Sequence, residues 1–156
     1  MTERAQAVEA GNDLYFLESA GVSSEIGLKY GEAFRSQLGE AVGRTNAALA
    51  GRYEAAQVEQ AAKLMGESFS RNFPYLWDEL EAIGAGGGIL PADLQRHVFS
   101  AGIGKFPEDD GCTDVIFPRS EKGPLLGKTH DATSPGPGTA VVRLIRHTSM
   151  GTVLCV

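Results

Sequence analysis

Cys112 stands between Gly111 and Thr113, behind an acidic run and ahead of a strand pattern, and this Gly-Cys-Thr step is where the chain is best equipped for covalent chemistry. A thiol attacks as its thiolate, and with a free pKa of about 8.5 it needs a base near neutral pH. An α-amino group, with a pKa of about 7.7–8.0, is such a base. Cys112 has only an amide nitrogen until the bond to Gly111 is broken. Its own sulfur can break that bond. Attack on the Gly111 carbonyl carbon forms a thioester and expels the amine, and water then opens the thioester. Glycine suits the preceding position because no Cβ hinders the approach, and backbone strain held there would help. The bland alternative is a loop glycine before a buried structural cysteine, since free cysteine is among the most buried residue types.

A second group of reactive residues closes a later strand pattern: Lys128, Thr129, His130 and Asp131. Cys112, His130 and Asp131 together have the types of a Cys-His-Asp triad. Adjacent strand residues lie on opposite faces, however, so Asp131 is badly placed to orient His130. A metal site from His130, Asp131 and Cys155 has none of the usual ligand spacings, and no metal or other cofactor is expected.

These residues must be positioned by the rest of the chain. Met1 to Gly11 reads as frayed or weakly helical, and Leu14-Tyr15-Phe16-Leu17 as a short strand. Ser23 or Ser24 is a candidate cap for one long helix, on which Ile26, Tyr30, Phe34, Leu38 and Val42 recur every four residues. Gly27, Gly31, Gly39 and Gly43 form a second row with the same spacing. Each costs about 1 kcal/mol against alanine in a helix interior, and close approach of another backbone is the expected compensation. A second helix is predicted from about Val58 to Phe73, with Ala61, Leu64, Met65 and Phe69 as its apolar face. Pro74 opens a third, facing inward through Leu76, Leu80 and Ile83, and Gly84 to Gly88 reads as a flexible turn that stops it. A short helix starts at Pro91 and carries His97 at a solvent-facing or core-edge position. Ser100 to Asp110 reads as an exposed loop that can be cut.

After Cys112 the period changes from helical to extended. Strands are predicted at Val115–Phe117, Leu125–Asp131, Val141–His147 and Thr152–Val156, with turns at Pro118–Gly123 and Met150-Gly151 and a loop over Ala132–Thr139. Short links favour antiparallel neighbours. The expected class is α+β, an N-terminal helical segment (1–111) followed by an antiparallel meander (112–156).

The totals agree with one domain of 156 residues. A net charge of −6 argues against nucleic acid as a partner. The charge is uneven: 17 acidic and 9 basic residues through Gly111, then 3 acidic and 5 basic. Opposite signs would help two fragments stay together after a cut. Two cysteines make no disulfide framework. Neither a signal peptide nor an apolar run of the roughly 18 residues a membrane span needs is evident, so a cytoplasmic protein without membrane contact is expected.

Four stretches, EIGLKYGEAF (Glu25–Phe34), NFPYLWDELEAIGAG (Asn72–Gly86), DDGCTD (Asp109–Asp114) and GPLLGKTHD (Gly123–Asp131), together resemble the acyl-coenzyme A:6-aminopenicillanic-acid acyltransferase family of self-processing N-terminal-nucleophile (Ntn) enzymes. The resemblance runs from about Gly21 to the end of the chain, and its most specific part pairs Gly-Cys-Thr with the Gly127-x-x-x-Asp131 strand end. It implies an αββα sandwich, self-cleavage before Cys112 into an α and a β chain, and Cys112 as both processing and catalytic nucleophile. It implies that Asp131 supports the site, that Gly111, Cys112 and Thr113 form the processing step, and that the substrate is a small acyl donor such as an acyl-CoA or an amide. The cut chain would be an α/β heterodimer. Thr129 stands where such enzymes often have asparagine, and Asp114 where they often have a second hydroxyl. The family's catalytic region, including its oxyanion-hole residue, extends past Val156, so this chain alone is expected to be incomplete. The other expectation is a non-catalytic helical interaction module that retains an ancestral sequence.

Overall fold

The computed structural model describes residues 8–11, 14–100, 111–117, 125–131, 140–149 and 151–155. In chain order the elements are β1 (Val8–Gly11), β2 (Leu14–Gly21), α1 (Ser23–Ala33), α2 (Arg35–Ala50), α3 (Ala55–Asn72), α4 (Pro74–Gly87), α5 (Pro91–Val98), β3 (Gly111–Phe117), β4 (Leu125–Asp131), β5 (Ala140–His147) and β6 (Gly151–Cys155). The class is α+β. Two compact units are present: residues 1–104 with 139–156, and residues 105–138. The predicted loops at 101–110 and 132–139 and the turn at 118–123 lie outside the described residues.

Among its described residues the first unit has five helices and a mixed sheet in the order β1-β2-β5-β6. β5 and β6 are antiparallel, as their short link requires. β5 does not continue a meander from β4. It runs parallel to β2, in register from Leu14 opposite Ala140 to Gly21 opposite His147. The segment read as frayed or helical before Gly11 instead supplies β1, antiparallel to β2. The apolar run Leu14–Leu17 is thus the start of a strand that extends to Gly21 and has a strand on each side. Leu17 and Ser19 are buried while Phe16, Glu18 and Ala20 are exposed, the period of two of a half-buried strand.

The long helix expected from Ser23 to Val42 is two, with Phe34 between them at φ −114° and ψ 27°. Hydrogen bonds bridge the break, Phe34 N–H to Tyr30 O at 3.1 Å and Leu38 N–H to Phe34 O at 2.8 Å, so the inward row survives it. Ile26, Phe34 and Val42 are buried. The Phe34 ring meets Tyr15 edge-on at 5.6 Å and Tyr30 at 5.0 Å. The cap is not a serine. Val22 holds the extended N-cap conformation, and its N–H donates to the Glu25 carboxylate three residues on.

The glycine row is explained in half its length. A Cβ on Gly27 would lie 2.2 Å from the Glu79 carbonyl oxygen, and one on Gly31 would lie 2.2 Å from that of Ile83. These two residues let α1 press backbone to backbone on α4, its most extensive neighbour in the unit. Gly39 and Gly43 have nothing within 4 Å. The same contact corrects the reading of Gly84 to Gly88. Gly84, Gly86 and Gly87 are helical and buried, and only Gly88 turns, at φ +69°. Packing against α1 offsets the intrinsic penalty of about 1 kcal/mol per glycine. The Arg35 guanidinium also holds the Gly86 carbonyl, at 2.8 and 3.2 Å, which suits the negative end of a helix.

α3 buries Val58, Ala62 and Gly66. Its inward face is therefore rotated from the predicted one, and Leu64 is 58% exposed. Pro74 occupies the first turn of α4 as expected, but Leu76 is exposed. None of the helices among the described residues is long and apolar enough to cross a membrane.

Candidate functional site

The second unit carries every residue singled out for catalysis. β3 and β4 pair antiparallel, with Gly111 opposite Asp131, Cys112 opposite His130, Thr113 opposite Thr129 and Asp114 opposite Lys128. By residue type, the Thr-Thr and Asp-Lys combinations, with Ile116 opposite Leu126 and Phe117 opposite Leu125, all favour this register. The pairing gathers Gly111, Cys112, His130 and Asp131 at one end of the ribbon. The pleat assigns Cys112 and His130 to one face, and Gly111 and Asp131 to the other. Sequence spacing did not reveal that His130 stands across from Cys112, because strand register is a property of the pair. The β3 strand is also longer than predicted and begins at Gly111 itself.

In the first unit, one pair has the look of a catalytic serine and its base. Ser23 Oγ lies 3.1 Å from His147 Nε2, and Ser23 is 6% exposed. The other ring nitrogen decides the chemistry. His147 Nδ1 accepts the Ser149 backbone N–H at 3.2 Å, and the Ser149 hydroxyl is 3.1 Å from it. A nitrogen that accepts an N–H bears no proton, so Nε2 carries it and donates to Ser23 Oγ. The imidazole in this tautomer cannot remove a proton from Ser23. The pair is a tie between the start of α1 and the end of β5, alongside Thr148 N–H to Gly21 O at 3.1 Å.

A charged cluster joins the same sheet to the helices. Arg143 on β5 forms an ion pair with Glu79 on α4 at 2.6 Å, both side chains largely buried. The Arg143 guanidinium carbon lies 4.5 Å from the Tyr30 ring centre, a cation-π contact. Burial pushes the Tyr30 hydroxyl pKa above its ordinary value, with Arg143 pulling the other way. Arg146 pairs with Glu18 across β2 and β5 at 2.9 Å on the surface.

His97 takes the core-edge alternative. Its Nδ1 is 2.8 Å from Thr45 Oγ1. Burial, and then the nearby Arg44 charge, hold its pKa below the ordinary 6.5. It borders an open cleft of about 210 Å³, which no motif in the sequence announced because its walls come from α1, α2, α5 and β5. Among the described residues no group of three or more His, Cys, Asp or Glu is placed to hold a metal ion.

Set against models of known protein families the chain matches none, and no curated protein matches it either.

Proposed function

We propose that this chain carries the processing site of an Ntn-type cysteine acyltransferase or amidohydrolase, cut between Gly111 and Cys112. The observation that supports the reading most is the strand register, which sets Asp131 directly across from Gly111, the residue before the bond that would be cut. Cys112 Sγ attacks the Gly111 carbonyl carbon, the C–N bond breaks, and the sulfur's proton goes to the departing amine. Water then hydrolyses the thioester to the Gly111 carboxylate and the Cys112 thiol. The freed amine lies one register step from Asp131, whose carboxylate would hold and orient it. As a neutral amine it accepts the thiol proton for the next attack. The thiolate adds to the carbonyl of a small amide or thioester and expels its amine or thiol. Water or an amine then takes the acyl group.

A cut there leaves β2 and all five helices in one fragment and β5 and β6 in the other. The in-register β2–β5 ladder, the Arg143–Glu79 pair and the Ser23–His147 tie favour an α/β heterodimer. The αββα sandwich is the fuller architecture this reading calls for.

Intact-mass measurement of purified protein tests the proposal. Wild type should yield two fragments, the second beginning at Cys112, and Cys112→Ala should stay whole. Folded wild type that remains a single chain through long incubation at neutral pH refutes it. The competing reading is a non-catalytic interaction module, favoured by exposed Phe73, Tyr75 and Leu76 around the α3–α4 junction. That reading predicts a Cys112 that labels with thiol reagents no faster than Cys155.

A further inference from the structure

The cleft beside His97 has the chemistry of an anion site. Tyr30 from α1, Phe34 from the α1–α2 junction, Gln37, Leu38, Ala41 and Arg44 from α2, His97 from α5 and Val141 from β5 line it. All of these belong to the first unit, so the site does not depend on the strand pair that carries Cys112. Its volume of about 210 Å³ falls below the roughly 300–1,000 Å³ of drug-sized sites. The fitting occupant is therefore small. Phe34, Leu38, Ala41 and Val141 offer an apolar wall.

The charged group at the cleft is of one sign. Among the described residues no carboxylate lines the cleft, although the whole chain is acidic. Arg44 supplies a guanidinium whose own acidic neighbour, Glu40, is 3.8 Å away on the open helix surface, where such pairs contribute little. Thr45 occupies His97 Nδ1, which leaves Nε2 as the ring's remaining polar atom. The Gln37 amide and the Tyr30 hydroxyl each add a neutral donor and an acceptor. An apolar wall with one exposed guanidinium beside it suits a carboxylate attached to a compact apolar body.

We propose that this cleft binds a small apolar carboxylic acid, with the carboxylate on Arg44 and His97 and the body against Phe34, Leu38 and Val141. The proposal stands apart from self-processing and holds or fails without it. Benzoate is a suitable probe, and benzamide, which has the same shape and no charge, is its control. Titration of each into the full chain, followed by two-dimensional NMR, should give saturable benzoate shifts at Leu38, Ala41, His97 and Val141. Benzamide should bind at least about tenfold more weakly, as one lost charge-assisted contact requires. Arg44→Gln alters an exposed side chain, 65% accessible, so the fold should persist and benzoate affinity should fall by a similar factor. Equal binding of benzoate and benzamide would overturn the proposal. So would unchanged affinity in Arg44→Gln, or the absence of saturable shifts at these residues.

Discussion

Alanine at Gly31 and alanine at Gly39 should move stability in opposite directions, although both replace a helical glycine in the same run of sequence. Intrinsic helix preference is the same at both, a gain of about 1 kcal/mol for alanine. The surroundings differ. A Cβ at Gly31 would sit 2.2 Å from Ile83 O, 2.7 Å from Gly87 N and 3.0 Å from the Gly86 carbonyl carbon. All three are backbone atoms of α4, so no side chain can rotate away and the helices must separate. Overpacking of this kind costs about 1–3 kcal/mol and sometimes more. Because the clash is with an entire helix, the upper part of that range applies. After the propensity gain, a net loss of about 2 kcal/mol remains. At Gly39 the new methyl meets nothing within 4 Å, and a gain of about 0.5–1 kcal/mol is expected. Equilibrium urea unfolding at constant slope measures both. A Gly31→Ala protein as stable as wild type would show that α1 and α4 do not meet through their backbones. A destabilised Gly39→Ala would show that α2 is not the open helix described.

Glu79→Ala should cost about 3 kcal/mol in urea unfolding, the lower part of the range for stranding a buried charge, because the Arg143 and Glu79 side chains retain 17% and 14% exposure. Glu79→Met with Arg143→Met should recover most of that loss. His97 has a folded pKa below 6.5, so the unfolded chain binds the extra proton first. Its contribution to stability is full above that value and falls away as pH drops through the window beneath it. Urea midpoints near pH 7.5 and near pH 5 should show this decline in wild type and a shallower one in His97→Gln. Ser23 should resist a fluorophosphonate probe that labels activated serines. Ser23→Ala should lower stability by about 1 kcal/mol, and rapid labelling of Ser23 would refute the tautomer assigned to His147.

The sequence is most readable where one element decides its own fate. Pro74 and Pro91 open helices because proline fits a first turn and not an interior, and both do so here. The bounds of β4 and, to one residue, β5 follow from the turn and loop residues that flank them. What sequence alone misses depends on partners. Five residues with four glycines among Gly84–Gly88 read as a breaker until α1, with its own glycines, lies against them. Leu64 fits an apolar row by spacing, yet the neighbours of α3 lie on the side of Val58, Ala62 and Gly66. For the candidate site, residue types pointed to Gly111 and Cys112 and the family resemblance to Asp131, while only pairing places His130 across from Cys112. The cleft at Arg44 and His97 was illegible because α5 and β5, far along the sequence, complete the walls begun by α1 and α2.

The sheet has a consequence for any cut between α5 and β5. β2 and β5 come from opposite ends of the chain yet lie side by side in parallel, so the contacts between them are made by residues outside the segment that is cut. In the intact chain the connecting segment keeps β5 at a high effective concentration beside β2. Once the segment is cut, the same contacts must also offset the lost translational and rotational freedom of a separate fragment. A defect at the Arg143–Glu79 pair would then act twice, on folding before the cut and on fragment retention after it. The surface Arg146–Glu18 pair, with side chains 56% and 50% exposed, should matter little in either state. The acidic excess before Gly111 and the small basic excess after it add a salt-sensitive attraction between fragments, screened beyond about 10 Å at 0.1 M salt. Retention should therefore weaken slightly with salt and sharply with loss of Glu79, because the buried pair is shielded from added ions and the surface charges are not.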